Sequence, residues 1–172
     1  MTPPPASPSE AVPARILVVD DEEIVLVALR DLLRRQGYEV ATATGVLQAL
    51  ELLKRQAFTV VLTDQQMPTL TGLEFLAEVK RLQPDASRIL ITAVLGLNTV
   101  IDAINKAEIF RFVIKPWQRE ELLQAVHEAV ERGRAGAQCK QSLAEALARN
   151  ETLSQQVLTL ERELALRTRN GS

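Results

Sequence analysis

The sequence predicts an α/β fold, a doubly wound parallel sheet with helices on both faces, followed by a long C-terminal helix. Three observations carry that expectation. Short runs rich in β-branched residues alternate with longer segments of helical period, and five such cycles fit between Arg15 and Arg132. Several strand runs, among them Val60-Val61-Leu62 and Ile89-Leu90-Ile91, are continuously apolar, as strands covered on both faces must be. Beyond Arg132 strands cease, and the remainder is rich in Ala, Leu, Glu, Gln and Arg, with no proline or glycine between Gly136 and Gly171. The expected organisation is a disordered tail over 1–14, an α/β domain over 15–132 and a helical extension over 133–170.

The elements follow in order. Residues 1–14 hold five of the eight prolines, and they lack the charged start and apolar run of a secretory signal, so they read as a disordered tail. Strands are expected at Ile16 to Val19, Glu39 to Ala43, Thr59 to Thr63, Arg88 to Thr92 and Phe110 to Ile114. Helices are expected at Glu23 to Gln36, Val46 to Arg55, Gly72 to Leu82 and Asn98 to Ala107, with a last one starting near Arg119. The first helix gathers Val25, Leu29, Leu32 and Leu33 on one face, and Gly37 stands where a C-terminal cap belongs. The third opens with Thr71 and Glu74 at capping-box spacing, and Pro84 follows its end.

Composition narrows the function. Twenty Lys and Arg against 22 Asp and Glu leave a charge of −2, so no global positive field exists to hold nucleic acid or an anionic membrane. The longest nearly apolar stretch, Ile89 to Leu97, is too short to span a bilayer. Cys139 stands alone, which excludes an intrachain disulfide or a cysteine zinc cluster and fits a reducing cytoplasm.

In the extension, one heptad frame places Leu143, Asn150, Val157 and Leu164 at a positions and Ala146, Leu153, Leu160 and Arg167 at d positions, with six of eight apolar. A competing frame through Leu147, Ser154 and Glu161 makes four of seven apolar. The first frame predicts a coiled-coil seam and a homodimer formed through the C-terminal helix. A single amphipathic helix docking on its own domain or on a partner is the alternative. Cys139 falls at a d position of the favoured frame.

In an open parallel sheet, ligands bind beyond the carboxyl ends of the strands. Reading those ends gives Asp20 and Asp21 after the first strand, Asp64 after the third, Thr92 closing the fourth and Lys115 after the fifth. Taken singly, each has a plain structural role, such as helix cap, turn former or solvated charge. Taken together, they bring three carboxylates, a hydroxyl and an ammonium to one edge. Clustered carboxylates repel, and a hard divalent cation relieves the repulsion, so Mg²⁺ with a phosphate is the natural ligand set. A carboxylate beside Mg²⁺ can act as nucleophile toward phosphorus, while cations neutralise the transferring oxygens.

Asp20-Asp21, Thr63-Asp64-Gln65-Gln66-Met67-Pro68 with Gly72, Ile91-Thr92-Ala93 and Phe110-Arg111-Phe112-Val113-Ile114-Lys115-Pro116-Trp117 together resemble the receiver domain of two-component response regulators, from about Arg15 to Arg132. The resemblance implies a flavodoxin-like (βα)5 sheet in the order 2-1-3-4-5. It implies that Asp64 is the phosphoacceptor, and that Asp20, Asp21, Asp64 and the backbone carbonyl of Gln66 serve the Mg²⁺ site. Lys115 and Thr92 would contact the phosphoryl group, Lys115-Pro116 would be cis, and Thr92 with Phe112 would form the switch pair. Phe112 stands where many relatives have Tyr. Gln66 and Val94 occupy the variable positions that tune water attack, and Val94, unable to orient a water, implies slow dephosphorylation.

The same resemblance implies a phosphoryl donor, either a sensor histidine kinase or a phosphotransfer protein, and a cytoplasmic switch rather than an enzyme. Its output would be dimerisation or docking by the C-terminal helix. Two further outputs remain open. The residues after Arg132 hold no helix-turn-helix, so a DNA-binding domain would have to lie outside this chain. Alternatively, the chain would be the regulatory front of a longer protein with a cyclic-dinucleotide enzyme as output. His127, followed by Glu128, reads as polar surface, and Trp117 reads as packing.

Overall fold

The computed structural model describes residues 12–93, 96 and 107–169, the side chains of 164–169 excepted. The tail over 1–11, Val94 and, but for Ala107, the expected helix at 98–107 lie outside the described residues, as does the side chain of Leu164. The chain divides into two compact units between Arg134 and Ala135.

In the first unit, strands β1 (Arg15–Val19), β2 (Glu39–Ala43), β3 (Val60–Asp64), β4 (Ser87–Thr92) and β5 (Arg111–Ile114) form one parallel sheet. Their order is β2-β1-β3-β4-β5, the order the resemblance implies. Helices α1 (Glu23–Arg34), α2 (Val46–Arg55) and α3 (Gly72–Leu82) connect the first four strands, and the C-terminal helix runs Arg119–Arg169. The order reverses at β1, where one connection turns toward β2 and the next toward β3. That reversal opens a crevice at the carboxyl edge between β1 and β3.

Alternation along each strand builds two cores. Ile16, Val18, Val60, Leu62, Ile89 and Ile91 face α1 and the first turns of the C-terminal helix, meeting Leu29, Leu33, Leu122 and Val126. Leu17, Val19, Val61 and Leu90 face the other way, onto Val46, Leu53, Phe75 and Val79 of α2 and α3. Both faces are buried, which is why these strands read as unbroken apolar runs.

Helix α1 ends at Arg34, two residues before the expected Gln36. The Gln36 and Gly37 N–H groups donate to the carbonyls of Leu33 and Arg34 at 3.0 Å, tightening the last turn. Gly37, at φ +86°, then reverses the chain toward β2 in a conformation that only glycine adopts at no steric cost. At α3 the capping box is complete: Thr71 Oγ1 accepts from the Glu74 N–H, and the Glu74 carboxylate accepts from the Thr71 N–H. Gln83 carries a feature that local pattern does not reveal. Its amide donates to the carbonyls of Leu53 and Gln56 at 2.8 Å and accepts from the Phe58 N–H, tying the end of α2 to the end of α3.

Candidate functional site

Each expected site residue of the carboxyl edge is placed by a strand end. β1 ends at Val19, so Asp20 follows directly. The Asp20 N–H donates to the Ala43 carbonyl at 3.2 Å, which holds the residue at the mouth of the sheet. Its side chain is buried, with 1% of the residue exposed. Oδ1 accepts from the Glu22 N–H at 2.9 Å, while Oδ2 is buried with no protein partner. Burial pushes the Asp20 carboxyl above its ordinary range; the Glu22 N–H pulls it back, Asp64 and Asp21 push it further up, and Lys115 opposes them.

Asp64 is the last residue of β3, one position inside the strand rather than after it, and it too is buried. Lys115 Nζ lies 2.7 Å from its Oδ1, and the Gln66 N–H donates to Oδ2 at 2.7 Å. Lys115 is carried there by β5, whose end is tied to β4 by a hydrogen bond from the Lys115 N–H to the Thr92 carbonyl at 2.8 Å. Burial works to lower the Lys115 pKa, but its hydrogen bond to Asp64 and the charges of Asp64, Asp20 and Glu22 outweigh it, so the net direction is upward. The Lys115-Pro116 peptide is cis, as the resemblance implies. Thr92 ends β4 and is buried.

Gly72 lets α3 start against this site. A Cβ there would lie 2.1 Å from the Asp64 carbonyl oxygen, closer than atoms can approach. The Gly72 N–H donates to the Gln65 carbonyl, and the Gln65 side chain accepts from the Leu73 N–H, so α3 and the Asp64–Gln66 turn are fastened together. Pattern reading gave Gln65 no role; its amide works on backbone eight residues away.

The structure therefore brings Asp20, Asp64 and Lys115 into one electrostatic cluster. Asp21 and Gln66 are exposed and line an open cleft with Gln65, Met67, Pro68 and Thr71, and they act on the cluster through the Asp21 charge on Asp20 and the Gln66 N–H on Asp64. Among the described residues, no three carboxylate, imidazole or thiol groups gather as a ready-made metal cage. Mg²⁺ needs none, because it retains waters and takes only one or two carboxylates. The donor set fits that cation: the buried carboxylates of Asp20 and Asp64, with one Asp20 oxygen lacking any protein donor. Phe112 lies two residues before the end of β5, half-buried against the core of the α2–α3 face. His127 is exposed, and Trp117 is half-buried with its ring 5.9 Å from Lys115 Nζ.

Fold and site together define a doubly wound α/β domain with a carboxylate–lysine cluster at the carboxyl edge of its sheet. The chain belongs to the response regulator receiver domain family, whose model matches residues 16–127. It is 41% identical over 118 residues to the hydrogenase transcriptional regulatory protein HoxA of Cupriavidus necator, covering 69% of this chain and 24% of that one. This chain thus spans about a quarter of that relative's length. Among solved structures, the signal receiver domain of an HD domain-containing protein from Pseudomonas fluorescens Pf-5 matches with a TM-score of 0.68 and 34% identity, over 72% of this chain and 98% of that one. The response regulator TrrA of Thermotoga maritima, solved in complex with Mg²⁺ and BeF, matches with a TM-score of 0.61 and 31% identity, over 67% and 98% of the two chains. Receiver domains of two-component systems are signalling switches that typically bind Mg²⁺ and interact with histidine kinases or phosphotransfer proteins, and some dimerise. No described helix is long and apolar enough to cross a membrane.

Proposed function

We propose that this chain is a phosphorylation switch in which Asp64 accepts a phosphoryl group from the phosphohistidine of a sensor kinase or phosphotransfer protein. The observation that carries this reading is the Asp64 carboxylate, buried at a strand end and held by Lys115 Nζ and the Gln66 N–H. In the transfer, an Asp64 carboxylate oxygen forms a bond to phosphorus while the phosphorus–nitrogen bond breaks, and the departing imidazole keeps the electron pair. Lys115 neutralises one phosphoryl oxygen, and the Thr92 hydroxyl donates to another. Mg²⁺, held by Asp20, Asp21, Asp64 and the Gln66 carbonyl, would supply charge neutralisation of the phosphoryl oxygens. The chain itself performs no turnover on a second substrate.

Transmission runs through Thr92 and Phe112. The acyl phosphate draws the Thr92 hydroxyl toward it, and Phe112 follows into the space that Thr92 leaves, shifting the population of two conformers. The output is the C-terminal helix, which dimerises with a second copy or docks on a partner, in the cytoplasm. The transcriptional regulatory relative of which this chain spans about a quarter favours a second reading, in which the same switch regulates a longer response regulator with a DNA-binding output.

The test is incubation with Mg²⁺ and a small phosphodonor such as acetyl phosphate, read by intact mass. Wild type is expected to gain one acid-labile phosphoryl group on the Asp64 peptide, and Asp64→Asn none. Labelling of Asp64→Asn equal to wild type would overturn the assignment.

A further inference from the structure

Every residue from Arg134 to Glu163 is exposed in the single chain, including Leu143 at 60%, Leu153 at 55%, Val157 at 53% and Leu160 at 57%. A helix with no tertiary packing draws little stability from propensity alone, so a stretch this long with an apolar stripe calls for a covering surface. The stripe repeats every 3.5 residues on average, a period that matches another helix wound around it. One residue then decides between arrangements. Asn150 sits at an a position inside the stripe, flanked by Ala146 and Leu153.

We propose that the occupant is a second copy of this chain, laid parallel and in register, so that Asn150 meets Asn150 of the second copy. This rests on the dimerisation output stated above and adds its orientation and register. In that arrangement each amide has both a donor and an acceptor across the seam. In an antiparallel pair, a positions face d positions, and in the register that pairs the flanking charges Asn150 meets Leu160, which offers an amide nothing. That register would bring Arg149 against Glu163 of the other copy, an exposed ion pair that solvent screening leaves weak. An unsatisfied buried amide forfeits its full hydration with nothing in return, so the amide outweighs the ion pair. In the parallel pair no like charges face each other across the flanks, where Arg149 lies beside Ser154 and Gln156 beside Glu161.

Cys139, exposed and at the d position one heptad before Ala146, reports the register directly. In the proposed dimer the two Cys139 thiols face each other, whereas position 155, at f, points away from the seam. The full chain is treated with a short bismaleimide in parallel with Cys139→Ser/Gln155→Cys, while light scattering reads the mass. The dimer mass is expected, with wild type cross-linking about ten times faster than the control or more, as adjacency raises effective concentration over chance collision. Asn150→Leu is expected to melt higher yet lose the single dimeric mass, forming trimers or mixed species. A dimer in which wild type cross-links no faster than the control overturns the register and leaves the dimer reading standing. An Asn150→Leu protein that remains purely dimeric overturns the role of Asn150. A monomer at high concentration overturns the dimer reading itself.

Discussion

Two charged groups lie buried at opposite ends of the same sheet, and they are treated in opposite ways. Arg88, near the amino end of β4, is 4% exposed. Its Nε donates to the Ala107 carbonyl at 2.7 Å, one terminal nitrogen to the carbonyls of Ala86 at 2.8 Å and Pro84 at 3.3 Å, and the other to the Glu108 carbonyl at 3.4 Å. The Glu108 carboxylate stands 3.7 Å away and is itself held by Lys80 at 2.7 Å. Asp20, at the carboxyl end, is as deeply buried but keeps an oxygen with no protein partner. A buried charge that the fold satisfies completely is architecture. One left incomplete, among other carboxylates, is a place for a ligand from outside the chain.

That difference can be broken at either end. The largest effect is expected from Arg88→Leu, which strips donors from four carbonyls and should cost about 3–5 kcal/mol, read as a fall in the denaturation midpoint. Gly72→Ala should cost about 2 kcal/mol or more by driving α3 from the Asp64 carbonyl, and it should slow phosphoryl uptake as the Asp64–Gln66 turn shifts. Asp20→Asn should act in the reverse sense in metal-free buffer. Relieving a desolvated carboxylate beside Asp64 and Asp21 should raise the melting temperature by a few degrees, about 1 kcal/mol. A fall as large as that of Arg88→Leu would erase the contrast between the two ends.

The smallest effect concerns Glu108. The hydrogen bond and charge of Lys80 hold its carboxyl below the ordinary glutamate range, with Arg88 and Arg132 adding to the pull. The folded protein binds that proton less tightly than the unfolded chain, so this contribution to stability is complete above the ordinary glutamate pKa. It is lost as pH falls through the lowered one. Glu108→Gln should therefore lower the melting temperature slightly at neutral pH and flatten the acid limb of its profile, the two proteins converging at low pH.

The two ends were also unequally legible in the sequence. Asp20, Asp64, Thr92 and Lys115 announce themselves because each follows or closes an apolar run, and the carboxyl edge is where α/β sheets bind ligands. The parallel sheet and the α3 capping box were legible for the same local reasons, whereas the strand order came from the family resemblance alone. Arg88 was not, since it sits in a run that reads as an ordinary strand start and its acceptors are backbone carbonyls up to 20 residues away. Gln83 and Gln65 escaped likewise, because side-chain bonds to backbone leave no periodic trace. Asp20 was legible as a site residue, but its unpartnered oxygen arises only from how the folded chain packs around it.

The most direct measurement is a thermal melt of wild type and Asp20→Asn across a Mg²⁺ titration. A ligand that binds only the folded state raises the melting temperature with its concentration. The account predicts a rising, saturating shift for wild type and little or none for Asp20→Asn. A wild type indifferent to Mg²⁺, or an Asp20→Asn protein that shifts equally, would contradict it.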